Sequence, residues 1–134
     1  MIARQVVRSE SFSSEAQICT YAERNWRMRE FKFRHILGTI LGLKSQGRFL
    51  EMGAGPGVLS MMLAGICPGV TITLADISPG MAAAGTGLIR EAGLDNRLDY
   101  RVGDVADEKF VMGLGMFDCV FSTYSLHLWK DPEI

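Results

Sequence analysis

The chain has 134 residues, 48% of them hydrophobic, with 14 basic against 15 acidic side chains. That length makes one domain with a real core, though short for a doubly wound enzyme. A charge so close to balance steers towards no particular partner and gives no ground to expect nucleic-acid binding.

The charge is unevenly spread. Residues 1–34 carry seven basic side chains (Arg4, Arg8, Arg24, Arg27, Arg29, Lys32 and Arg34) against four acids. Such a segment is either a solvated helix face or a surface that attracts an anionic substrate. Cys19, Cys67 and Cys119 are widely spaced and odd in number, which predicts reduced, buried thiols in a cytoplasmic protein. His35 and His127 are the two histidines and there is no C-x-x-C, so no metal site is expected. Val58 to Cys67 is the longest apolar run, about half of a membrane span. The N-terminus has no continuous apolar stretch after its charges, so neither a membrane span nor a signal peptide is expected.

In chain order, Ser13-Ser14-Glu15 predicts a helix cap, and the helix continues through Ala16, Ile18, Tyr21 and Ala22. Its register becomes uncertain near Asn25. A second helix from about Arg27 presents Phe31, Ile36, Leu37, Ile40 and Leu41 and ends among Gly42 and Gly47. The N-terminal helices thus occupy about 13–43 and the remaining core about 47–134. Arg48 to Met52 reads as a short buried strand and Val58 to Ala64 as the start of an apolar helix. Val70 to Asp76 is rich in β-branched residues and predicts a second strand. Ser78-Pro79 reads as N-cap and first helical residue, with Gly93 as terminator; Gly85 and Gly87 weaken that helix. Leu98–Val102 is a third strand, followed by Gly103-Asp104-Val105 and a short helix across Asp107–Met112. Phe117 to Ser122 is the fourth strand. Strands alternating with helices predict an α/β layered fold with a parallel sheet.

Between the first strand and its helix lies Glu51-Met52-Gly53-Ala54-Gly55-Pro56-Gly57. Glycines at alternate positions either bend the chain tightly or let its backbone approach a ligand. The following helix would point its N–H groups at that ligand. The dinucleotide fingerprint asks for Gly or Ala where this chain has Val58, so a nicotinamide or flavin fits poorly. Glu51 would repel a pyrophosphate and suits a ligand bearing an ammonium group. Asp76 stands about 20 residues beyond the glycines, placed either to accept from ribose hydroxyls or to cap its own turn. Asp104 is open to the same two readings. Glu51, Asp76 and Asp104 all end successive parallel strands, the edge where ligands bind in open α/β sheets.

The acid followed by G-x-G-x-G resembles the first motif of the class I S-adenosylmethionine-dependent methyltransferases. Leu74-Ala75-Asp76-Ile77-Ser78-Pro79-Gly80-Met81, Gly103-Asp104-Val105 and Phe117-Asp118-Cys119-Val120-Phe121-Ser122 resemble its next three. Tyr124-Ser125-Leu126-His127-Leu128-Trp129 is similar to the continuation in the ubiquinone- and menaquinone-biosynthesis subgroup. The resemblance covers about residues 47–131 and implies a Rossmann-like fold with strand order 3-2-1-4. It implies S-adenosyl-L-methionine as cofactor, S-adenosyl-L-homocysteine as product and a small-molecule methyl acceptor.

Residue by residue, the resemblance places Gly53, Ala54 and Gly55 around the methionine part and Glu51 near its amino group. Asp76 goes to the ribose, Ile77 to the adenine face, and Asp104 with Val105 to the adenine. Ser122 borders the transferable methyl. Tyr21 and Trp26 lie on N-terminal helices that in this class often cover the cofactor. His127 is a candidate base, or a packed or capping histidine, and Tyr124 a candidate positioning group. The full fold of the class continues beyond four strands, whereas this sequence stops at Lys130-Asp131-Pro132-Glu133-Ile134. A fragment, a short gene product and half of a split enzyme remain open, as does a cofactor-binding module without catalysis. A fourth strand left as an edge predicts a homo-oligomer or a partner chain.

Overall fold

Ser14 opens the first element. In the computed structural model, which describes residues 14–123, its hydroxyl accepts the Gln17 N–H at 3.1 Å while the Gln17 side chain accepts the Ser14 N–H. This reciprocal cap satisfies donors that a helix start leaves orphaned, and α1 follows as Glu15–Arg27. After Met28, α2 spans Arg29–Leu43. The uncertain stretch near Asn25 therefore lies inside α1. Phe33, Leu37 and Ile40 form the buried stripe of α2, at i, i+4 and i+7. Phe31 does not join it and is 87% exposed, because two residues before Phe33 it sits roughly 200° round the helix.

The remaining elements are β1 Gly47–Met52, α3 Val58–Ile66, β2 Val70–Asp76, α4 Pro79–Glu91, β3 Leu98–Val102, α5 Glu108–Leu114 and β4 Cys119–Ser122. The four strands form one parallel sheet in the order β3-β2-β1-β4, the 3-2-1-4 arrangement of the expected Rossmann-like fold. β4 begins two residues later than expected. Phe117 lies 5.0 Å under the Arg48 guanidinium, and the Asp118 carboxylate accepts the Arg48 N–H at 2.8 Å, so both are engaged before the ladder starts.

Register and alternation decide which side of the sheet holds the core. Phe49, Ile72, Leu98 and Cys119 share one row, and Glu51, Leu74, Tyr100 and Phe121 share the next. These residues point to the face that α3 and α4 cover, and all but Glu51 join the main hydrophobic cluster or line it. Thr71, Asp99, Arg101 and Val120 alternate onto the opposite face and are exposed. There Arg101 Nε meets Asp99 Oδ2 at 2.7 Å. α5 has no buried residue, and Met112, Met116 and Val120 are exposed. Among the described residues no strand pairs with the outer side of β4.

At the opposite end of the sheet, Arg97 gathers loose backbone. Its guanidinium donates to Ala64 O at 3.0 Å, to Cys67 O at 2.5 Å and to Val70 O at 2.9 and 3.2 Å. The last carbonyls of α3, which no helical N–H can reach, are thereby joined to the first residue of β2. All three cysteines are free, but the expectation of buried thiols fails at Cys19, which faces solvent from α1. No helix among the described residues is long and apolar enough to cross a membrane.

Candidate cofactor site

Phe121, Glu51, Leu74 and Tyr100 share one row of the sheet, and two of them, Leu74 and Tyr100, meet the glycine turn. Leu74 lies so close beneath Gly57 that a Cβ there would come within 2.7 Å of its Cδ2. Tyr100 donates its hydroxyl to Gly55 O. Burial, with the charges of Asp76 and Glu51 nearby, pushes this phenol far above its usual value, so it stays a donor. On the other side of the same residue, Gly55 N–H donates to Asp76 Oδ2 at 2.9 Å. Gly53 and Ala54 donate to Ala75 O at 2.8 and 3.1 Å. The turn is therefore fixed from β2 and β3. Gly53, Gly55 and Gly57 have φ of 69°, 58° and 80°, a region that a side chain strongly disfavours.

Glu51 is 2% exposed and accepts the Ser60 hydroxyl. Burial raises its carboxyl from 4.5 to about 7; the bonds with Ser60 act against that rise and Asp76 adds to it. A buried acid of this kind is short of a positive partner, and a ligand ammonium beside it would restore its charge. Asp76 is half-buried, its Oδ1 accepting Ser78 N–H at 2.9 Å. The turn-capping role is thus realised. It leaves acceptor capacity for ribose hydroxyls, since a carboxylate offers about four lone-pair sites. Asp104 is half-buried after β3 and its Oδ1 accepts Ala106 N–H at 2.9 Å. Val105 beside it is half-buried, and Ile77 is 45% exposed beyond Asp76. Ser122 Oγ donates to Met52 O at 2.8 Å, tying the end of β4 to the end of β1.

Glu51, Gly53, Ala54, Gly55, Asp76, Ile77, Asp104, Val105 and Ser122 thus collect at the carboxyl edge of one sheet. Tyr21 of α1 also reaches the edge, its Cε1 lying 3.7 Å from where a Cβ of Gly55 would stand. Trp26 does not; it is 44% exposed with the Arg29 guanidinium 4.2 Å over its ring. Tyr124 and His127 lie outside the described residues, as do the other positions that carried the subgroup resemblance.

Ser60 and Tyr100 were missed in the sequence. The signal for Ser60 was a lone hydroxyl inside the apolar run of α3. Gly85 was read as a weakness of α4, yet a Cβ there would stand 2.7 Å from Tyr100 and 3.1 Å from Pro56 O. Gly87 faces open space. Gly87→Ala is therefore expected to raise stability by about 0.5–1 kcal/mol. Gly85→Ala is expected to lower it by about 1–3 kcal/mol through overpacking. Urea midpoints of the two variants check this contrast, and equal shifts would remove the packing role given to Gly85.

A family model described as a methyltransferase domain matches residues 49–134, more than half of the chain. The L-tyrosine C(3)-methyltransferase of Streptomyces lavendulae is 29% identical over 110 residues, covering 82% of this chain and 28% of that protein. Ribosomal RNA small subunit methyltransferase C of Salmonella arizonae is 36% identical over 84 residues, covering 62% of this chain and 22% of that protein. A solved structure from Methanococcus maripaludis, provisionally assigned as an S-adenosyl-L-methionine-dependent methyltransferase, shares the fold with a TM-score of 0.76 at 22% identity. It covers 88% of this chain, which spans 53% of that structure. The chain therefore spans about half of this structure and less than a third of the two curated relatives. With the acid and glycine turn, the strand order and the family match in agreement, the chain belongs to the methyltransferase-domain family, the S-adenosylmethionine-dependent class I methyltransferases.

Proposed function

We propose that this chain binds S-adenosylmethionine and serves methyl transfer to a small-molecule acceptor. The observation that carries the reading is the fixed glycine turn, with the buried Glu51 held by Ser60 at the end of β1 and Asp76 at the side of the turn. Glu51 takes the ammonium of the cofactor and Asp76 its ribose hydroxyls. Ile77 packs on the adenine, Asp104 and Val105 border the adenine, and Ser122 stands at the methyl end. Bound S-adenosylmethionine supplies an already activated methyl on a sulfonium. The residues of the chain therefore have mainly to orient it and exclude water. A base is needed only for an acceptor that must lose a proton, and His127, with Tyr124 as a positioning group, is the candidate.

The ribosomal RNA methyltransferase relative favours a second reading, with RNA as acceptor. One experiment addresses both. Calorimetry with S-adenosylhomocysteine and with NAD is expected to give binding of the first alone. Tritium transfer from S-adenosylmethionine, followed in the small-molecule and RNA fractions of a cell extract, then reads the acceptor class. Binding of NAD in place of S-adenosylhomocysteine would sink the cofactor reading. Binding with no transfer to either fraction would mark a non-catalytic module.

A further inference from the structure

Ser60 is wholly buried among Val58, Leu59, Met61, Leu63 and Ala64, the apolar residues by which α3 enters the core. A hydroxyl in such a place is costly unless it is hydrogen-bonded. Ser60 donates it to Glu51 Oε2, which is itself buried at the end of β1. Glu51 precedes the glycines of the turn and Ser60 follows them, so the bond spans the turn from the strand on one side to the helix on the other.

Ser60 lies in the first turn of α3, which begins at Val58, so its N–H is one of those that a helix start leaves without an internal partner. That N–H favours the charged carboxylate of Glu51, as the hydroxyl does, while burial and the charge of Asp76 on β2 oppose both. In the same row of the sheet, β3 presents Tyr100, whose phenol stays protonated, and β4 presents Phe121, which carries no charge. α3 has no titratable side chain of its own, and α1 brings Tyr21 to Gly55. Among the described residues, the support for a charged Glu51 therefore comes from Ser60.

A buried polar pair of this kind does little for the core, since two apolar side chains of the same shape would serve it about as well. Its use lies in the carboxylate. With one oxygen pinned to α3, the plane of the acid is fixed, and an acid that burial would otherwise keep neutral stays within reach of ionisation.

We propose that Ser60 is a positioning residue for cofactor binding, pinning the Glu51 carboxylate across the glycine turn so that it meets an ammonium group in its charged form. This rests on the cofactor reading above, in which the ammonium belongs to the amino-acid part of S-adenosylmethionine.

The test uses the full chain as parent, Ser60→Ala, Glu51→Gln and the double variant, after urea unfolding has shown each to be folded. Each is titrated at pH 6 and pH 8 with S-adenosylhomocysteine and with 5′-methylthioadenosine, which lacks the ammonium. A hydrogen bond lost from a charged group moves the ionisation of Glu51 upward by about one pH unit. Ser60→Ala is therefore expected to weaken S-adenosylhomocysteine about tenfold at pH 6 but only about twofold at pH 8, and to leave methylthioadenosine within about twofold at both. Proton release on binding at pH 8, slight in the parent, is expected to grow in Ser60→Ala. In the Glu51→Gln background, removing the hydroxyl is expected to change the affinity by less than about twofold. A loss that is equal at both pH values, shared by methylthioadenosine or undiminished in the Glu51→Gln background makes Ser60 a packing residue of α3 and overturns the proposal. So does an unchanged affinity of Ser60→Ala at pH 6. Failure of the parent to bind S-adenosylhomocysteine at either pH overturns the cofactor reading itself.

Discussion

Asp76→Ala is expected to weaken S-adenosylhomocysteine binding by about 1.5–3 kcal/mol, roughly ten- to a hundredfold, through loss of charged hydrogen bonds to the ribose. The same change strips an acceptor from Gly55 N–H and from Ser78 N–H. Leaving half-buried donors unmet adds about 1–3 kcal/mol of lost fold stability. The two effects are separable. Calorimetry reads the first, and urea unfolding of the ligand-free protein reads the second. Asp76→Asn keeps a carbonyl for one of the N–H groups and is expected to fall between. An Asp76→Ala variant that binds with unchanged affinity would remove the ribose role, whatever happens to its stability.

The second large effect is a pH dependence written by Glu51. Its carboxyl rises from 4.5 to about 7 through burial, so between those values the folded chain holds a proton that the unfolded chain has released. Stability from this group is therefore fully present below about pH 4.5 and is lost as pH rises through 7. The total is about 3 kcal/mol. Glu51→Gln, which keeps a carbonyl for Ser60, is expected to flatten this fall and to be more stable than the parent at pH 8. Cofactor binding supplies an ammonium and reverses the shift, so binding near pH 6 is expected to release close to one proton. Calorimetry at pH 6 in buffers of different ionisation heat measures that release. A heat independent of buffer would mean that Glu51 is already ionised or does not meet the ligand.

Much of this is legible in the sequence, for local reasons. The run Val70–Asp76 is a strand because its β-branched residues suit nothing else so well, and Ser78-Pro79 starts α4 because one caps and the other has φ already fixed. The alternation of strands and helices implied parallel pairing, and the order of the strands came from the resemblance at Gly53, Asp76 and Asp104. What stayed hidden depends on register. Tyr100 reaches Gly55 only because β3 pairs with β2 so that Tyr100 falls opposite Leu74. A slip of one residue would turn it to the exposed face. The pairing of Asn25 with Lys32 depends on how two helices lean together, which their separate periods do not state. Phe31 misled for the opposite reason. Its spacing to Ile36 and Leu37 suggested a shared face, but the buried stripe is set by Phe33, Leu37 and Ile40.

Arg97 divides the molecule in a way that bears on its capacity to change. Its guanidinium fastens α3 to β2 at the end of the sheet remote from the glycine turn. The fastening draws on none of the residues assigned to the ligand. Substitutions among the loops at the carboxyl edge can then alter which acceptor is taken while this anchorage stays whole. A drift in specificity and a loss of folding become separate events, governed by opposite ends of the same four strands.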